Sequence, residues 1–467
     1  MPFSSSEDRN FPVSKFESML KTNDVYFFDA ADFEDIVHHY LDIGKVALAK
    51  RALQIGLSQH TSSINLKLLN IEVLIFDGKL DLAEKMLDEL MAIEHTNEEV
   101  YIQKASIYSK KDQHHKAIEL LKTAMAYTND TVDIYSLIGM EYLFMDDYQA
   151  AKEYFIKCVE DDPADYSALY NVIYCYDSVK DHDGAISFLN TYIENDPYSE
   201  IAWHQLGKQF YAKKMYKEAI AAYDFAIISD DAFVGAYMEK GKVLEKLHRY
   251  NEAIENYEIT LKLDDPTSYA YLRIGKCHER LGNVELAVKY LNKTVHEDPL
   301  LDKGWIAITD FYYRIGDYRK ARYYINKALN IDCENVAYWK LSAEINKKLD
   351  LLEEADLAYE KIVTLGNYEL KTWIEWSDVL YKLGEYDTAI HTLLQAIEFY
   401  PDEPAIEYRI AGFYYLSSDS LKGSYHLKNA LRNNYKKHHI LKELFPTVFI
   451  RNTVKNIITE FKNIPKQ

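Results

Sequence analysis

The residues with the widest chemical reach in this chain are its fifteen histidines and four cysteines. Histidine serves as metal ligand and proton shuttle, and the cysteine thiolate as soft ligand and nucleophile. Histidines stand as direct neighbours at His38–His39, His114–His115 and His438–His439. Adjacent residues on a helix point about 100° apart, so one ion cannot take both. No HExxH, GxxxxGK[ST] or GxGxxG occurs, so the residues of zinc-protease, P-loop and dinucleotide chemistry are missing. Cys158, Cys175, Cys277 and Cys333 are too widely spaced for a CxxC metal site and too few to staple 467 residues. They read as reduced thiols of a cytoplasmic protein, Cys175 and Cys277 as small packed hydrophobes. The expectation is a chain that is not an enzyme and uses no metal and no cofactor.

What remains is binding, and charge narrows the partner. The chain carries 54 basic and 74 acidic residues, a net of −20. Such a balance repels nucleic acid and anionic membrane surfaces. No stretch reaches the roughly 18 apolar residues a membrane span needs. Met1 to Asn10 is polar, lacks the basic and apolar regions of a secretory signal, and reads as disordered. With 48% hydrophobic residues, 27% charged, only 16 glycines and 10 prolines, the rest is a folded chain with few breaks. Nucleic acid and membrane surfaces are therefore not expected partners, and any binding surface must come from the elements.

Those elements repeat. Trp305, Trp339 and Trp373 are evenly spaced, and the same step reaches Phe33, Tyr101, Tyr135, Trp203, Tyr237 and Tyr271. Sixteen residues after each site of this column stands alanine, from Ala49 through Ala219, Ala253 and Ala287 to Ala389, with Gly423 at the end. Four residues later a third column is large and apolar or aromatic throughout, from Leu53 to Leu427. The register holds from residue 30 to 437 without insertion or deletion. Two short amphipathic helices in each period explain the columns, the small residues letting backbones approach and the large ones filling the gap opposite. Pro163, Pro197, Pro299 and Pro401 share one column at the unit's end, with Pro266 one residue later, and stop the second helix. Hairpins are expected to begin at 30, 64, 98, 132, 166, 200, 234, 268, 302, 336, 370 and 404.

These residues resemble the tetratricopeptide repeat (TPR) family, of bacterial type with about twelve tandem repeats. Residues 200–233 match its pattern best, with Trp203, Leu206, Gly207, Phe210, Ala219, Tyr223 and Ala226. The resemblance implies an all-α solenoid, a right-handed superhelix of antiparallel hairpins whose first helices line a concave groove. It divides the chain into an N-terminal segment (1–29), twelve units (30–437) and a C-terminal capping segment (438–467). In the first segment Phe11, Phe16, Met19 and Leu20 suit a short covering helix. In the last, Val454, Ile457, Ile458 and Phe461 form an apolar stripe that Pro446 opens.

The resemblance also implies which side chains meet a ligand. At the groove positions of units six to ten stand eleven basic residues, among them Lys208, Lys242, Arg273, Lys276, Lys303 and Lys340, against five acidic ones. The same positions of units one to five hold a single base, Lys110, and seven acids. Tyr170, Tyr174, Tyr211 and Tyr313, with Tyr269, Tyr381, Tyr408 and Tyr415, are expected to project from first helices toward the groove. No unit has the asparagine at position 9 that the family's carboxylate clamp requires, so capture of a chaperone C-terminus is not expected. The reading is a cytoplasmic adaptor or scaffold that binds a protein or peptide, with an acidic segment as the candidate. The alternative is a structural, self-assembling homo-oligomer that uses the groove or the C-terminal helix.

Overall fold

A computed structural model describes residues 11–22, 26–263 and 267–462. Met1 to Asn10, expected to be disordered, and Pro266 lie outside the described residues. Among the described residues every regular element is helical. First helices begin at Ala30, Ile64, Glu98, Val132, Tyr166, Glu200, Val234, Ser268, Asp302, Val336, Leu370 and Pro404, each at the residue the sequence period gives. The chain forms two compact units, Met1–Asp231 and Ala232–Gln467, with six hairpins in each.

The columns of the sequence are the core. All eleven column alanines, Ala49 to Ala389, are wholly buried, and the large residues four positions on are buried with them. The two helices of a hairpin meet where a small residue of the first faces a large one of the second. In hairpins six and seven a Cβ on Gly207 or Gly241 would sit 2.5 Å from the ring of Tyr223 or Tyr257, closer than carbon atoms approach. Where the second helix instead offers Leu53 or Leu189, the first carries Val37 or Ile173 at the same place. Side chains cap the helix starts: Ser63, Asp165, Ser199 and Thr267 accept from backbone N–H groups of first helices, and Asp147, Asp181, Asp317 and Asp419 do so for second helices.

One further column escaped sequence reading. Gly44, Gly78, Asp112, Asp146, Lys180, Lys214, His248, Gly282, Gly316, Asp350, Gly384 and Ser418 all have φ between 56° and 81°. They recur once per repeat and turn the chain from first helix to second in the left-handed conformation that terminates helices. A lysine there carries a steric cost that glycine lacks. Lys214→Gly, at φ 61°, is expected to stabilise the fold by about 0.5–1 kcal/mol after the entropy glycine adds to the unfolded chain. A denaturation midpoint that falls on this substitution would contradict that balance.

Both ends of the array are covered. In the helix Phe11–Thr22, Phe16 and Met19 are buried against Phe33 and Tyr40 of the first hairpin, while Leu20 is exposed. After the last second helix, Ser420–Asn434, come a 3-10 turn (Tyr435–His438) and helices His439–Leu444, Pro446–Phe449 and Asn452–Lys462. Pro446 thus opens a separate single turn and not the amphipathic helix, because the chain must bend at Ile450 and Arg451 before the apolar stripe can meet the last hairpin. Val454 and Ile458 are buried there, in one cluster with Leu427 and Leu431.

Candidate functional site

In the second compact unit, side chains from the first helices of hairpins seven to eleven meet along a common face. Position follows from the period: a residue near the end of one first helix reaches the middle of the next. Arg273 Nη2 lies 2.7 Å from Glu245 Oε1, which also accepts from the Tyr257 hydroxyl at 2.7 Å. Arg314 pairs with Glu279 at 2.5 Å and Lys347 with Glu375 at 3.0 Å, where Tyr359 donates to the same carboxylate oxygen. The Tyr313 hydroxyl donates to Glu344 at 3.2 Å. Ion pairs therefore link neighbouring hairpins along the face and neutralise much of its positive charge.

The expected ligand contacts divide accordingly. Lys242 pairs with Glu239 at 2.6 Å and lies over the Tyr269 ring, which Arg273 also approaches. Lys340 pairs with Glu369 at 2.8 Å. Lys303 is exposed beside Asp302, and Lys208 is exposed in the first compact unit, with the other five cations in the second. Tyr170 and Tyr174 are exposed on the first helix of hairpin five, Tyr174 edge-on to Tyr148. Tyr211 is half-buried beside Tyr216, and Tyr313 beside Tyr318. The structure thus brings Lys242, Arg273 and Lys276 together and leaves Lys303 and Lys340 apart from them.

Lys276 is the exception among these cations. It is half-buried, and among the described residues it forms no ion pair. Burial, and then the neighbouring Arg273 guanidinium, pull its pKa below the ordinary lysine value, against the opposing pull of Asp310, Glu245 and Glu279. The two flanking acids show the same poor solvation: burial raises the Glu279 and Asp310 carboxyls above their usual range despite Arg314 nearby. An ammonium in such a place gains more from an incoming carboxylate than a lysine in water does.

Two of the expected groove tyrosines belong to the core instead. Tyr408 and Tyr415 are wholly buried, the first donating to Asn434 O at 2.9 Å and the second bonded to Ser424 at 2.8 Å. Tyr381 packs edge-on to Phe445. Residues 435–449 fold back onto the first helix of the last hairpin, where Gly412 leaves room for the Phe445 ring. The sequence places Glu245 and Glu279 among the groove acids but does not reveal that they pair with the bases, although the recurring interval from Glu245 to Arg273 and from Lys347 to Glu375 is visible in the chain.

Three of the four cysteines are buried, and two histidines bond across hairpins. Burial pushes the Cys158 and Cys175 thiols to about 11 and the Cys277 thiol to about 12, and Cys333 is exposed. His114 bonds Glu141 and His182 bonds Gln209, each at 2.8 Å, joining successive hairpins at the turn as tyrosines do elsewhere. Among the described residues no group of His, Cys, Asp and Glu could hold a metal ion, and no helix is long and apolar enough to cross a membrane.

The tetratricopeptide repeat family matches at residues 98–131, 132–165 and 370–403 in one form and 238–301 in another, in phase with the hairpins. These stretches of the chain are TPR repeats. The fold is the all-α TPR solenoid, and the repeats make the chain a protein-interaction scaffold in general terms. No curated protein matches it. Similar solved structures include the MamA protein, at 27% identity over 37% of this chain and 94% of that one, with a TM-score of 0.33. The Cut9–Hcn1 hetero-tetramer of the APC/C aligns at 15% identity over 85% and 92%, with a TM-score of 0.37. The C-terminal part of a TPR repeat-containing protein from Cytophaga hutchinsonii aligns at 19% over 58% and 97%, with a TM-score of 0.41.

Proposed function

We propose that this protein is a non-enzymatic cytoplasmic adaptor that holds an acidic segment of a partner protein on the first-helix face of hairpins seven to ten. Lys276 supports this reading more than any other residue. Its ammonium is half-buried and lacks an ion pair among the described residues, so a ligand carboxylate would supply the counter-charge that the fold withholds. Exposed Lys303, apart from the cluster of Lys242, Arg273 and Lys276, would add only weaker attraction, and the paired bases set orientation more than affinity. Lys208, Tyr170, Tyr174 and Tyr211 are proposed as ligand contacts of the first compact unit by itself. Self-assembly through the C-terminal helix is the weaker reading, since Val454 and Ile458 are used up against the last hairpin.

A glutamate-rich peptide is the probe. It should bind the full chain, weaken as salt rises, and lose about ten- to a hundred-fold affinity in Lys276→Glu. Equal binding by wild type and Lys276→Glu at low salt would remove this face as the site.

A further inference from the structure

The second helices of hairpins ten and eleven, Leu352–Thr364 and Tyr386–Phe399, are held apart by a cleft of about 650 Å³. The cause lies in the link between them. The second helix of hairpin ten stops at Thr364, and Gly366, at φ 86°, is the one left-handed glycine outside the turn column among the described residues. Trp203, Trp305 and Trp339 each donate to the carbonyl six residues back, whereas Trp373 donates to Tyr368 O, five back, at 3.2 Å. Because that helix stops one residue early, the link is one residue longer than most; there Trp373 is fully buried and Tyr368 is turned outward onto Phe399.

The result is a site of mixed character. Tyr368 and Phe399 stack at 4.3 Å and stay 42% and 47% exposed, forming an aromatic wall. Three carboxylates line the cleft, Asp356, Glu360 and Glu398, and no lysine or arginine does. Asp356 is held by the Trp376 indole N–H at 2.6 Å. Glu360 and Glu398, one on each bank, form no ion pair among the described residues. On the first-helix face Glu245, Glu279 and Glu375 are each answered by a base from the neighbouring hairpin, whereas the two cleft glutamates stand exposed and open to a ligand.

From this geometry we infer that the cleft between second helices ten and eleven is a binding site for an arginine side chain of a partner protein. A guanidinium matches each feature. Its flat face stacks on an aromatic ring, its rim of N–H donors forks onto carboxylates, and it sheds water more readily than an ammonium. The site lies on the second helices, apart from the first-helix face that carries Lys276, so each can fail alone.

The test uses the full-length protein and a short peptide with a single arginine, with lysine and citrulline counterparts. Trp373 and Trp376 border the cleft, so their indole N–H signals report binding. The arginine peptide should shift both signals and bind at least about tenfold more tightly than the citrulline peptide, which keeps the shape and loses the charge. Glu360→Gln with Glu398→Gln, a near-isosteric change of exposed residues, should cost about tenfold, and Tyr368→Ala should remove the preference of arginine over lysine. Lys276→Met should leave this binding unchanged. No detectable binding, equal binding of the citrulline peptide, or unchanged affinity in the double glutamine variant would each overturn the assignment.

Discussion

Tyr257→Ala is expected to destabilise hairpins seven and eight by about 3–5 kcal/mol, the range for emptying a buried aromatic site. Tyr257 is wholly buried, its ring fills the space that Gly241 leaves, and its hydroxyl donates to Glu245 at 2.7 Å. Tyr257→Phe keeps the packing and removes one partner of a half-buried carboxylate, for about 1–2 kcal/mol. The glycine supplies the sharper test. Alanine favours a helix over glycine by about 1 kcal/mol, yet Gly241→Ala should destabilise, because the added carbon would lie 2.5 Å from the Tyr257 ring. In a Tyr257→Leu background the same alanine should be tolerated, as Ala105 is beside Leu121 in the third hairpin. The coupling should exceed about 1 kcal/mol, and additivity within about 0.5 kcal/mol would show that the ring is not what the glycine accommodates. Hydrogen exchange localises the effect, since repeat arrays open locally.

Arg273→Glu and Lys276→Met should act in opposite directions although the two positions stand close together on one helix. Arg273 and Glu245 are 24% and 16% exposed in their side chains. Reversing the arginine leaves Glu245 beside a like charge, an expected loss of about 2–4 kcal/mol. Loss of ligand binding in that variant would say nothing about the surface. Lys276 is different. Its pKa is lowered by burial and by Arg273, so at neutral pH its charge weighs against the folded state. The unfolded chain holds that proton to higher pH than the folded chain does. Wild-type stability should therefore rise with pH from the folded-state pKa toward the ordinary lysine value, and Lys276→Met should raise stability at about pH 7 and remove that slope. A methionine variant less stable than wild type at neutral pH would show that Lys276 is a structural cation and not a vacant one.

The hairpins were legible residue by residue because period and size are local properties. An alanine once per repeat, answered by a large residue four positions on, states a helix contact without reference to anything distant. The left-handed turn column was missed because its residue types vary: lysine, aspartate, histidine and serine stand where glycine would be expected, and only backbone torsion unites them.

Residue order alone specified the fold class, the repeat register, the buried columns and an excess of bases on one set of positions. What those bases are worth was set only when the chain packed. Whether a cation is available depends on which acid from the next hairpin reaches it: Glu245 reaches Arg273, and nothing reaches Lys276 within ion-pair range among the described residues. Packing also set where the array is covered and where it is open. Residues 435–449 fold back onto the last first helix, Tyr415 is buried against Gly423 and Ser424 of its own hairpin, and one lengthened link borders the acidic cleft beside Tyr368. Repetition writes the average contact into the sequence. Departures from it are set by how the chain packs at its ends and links, where small differences in side-chain reach separate a paired charge from a free one.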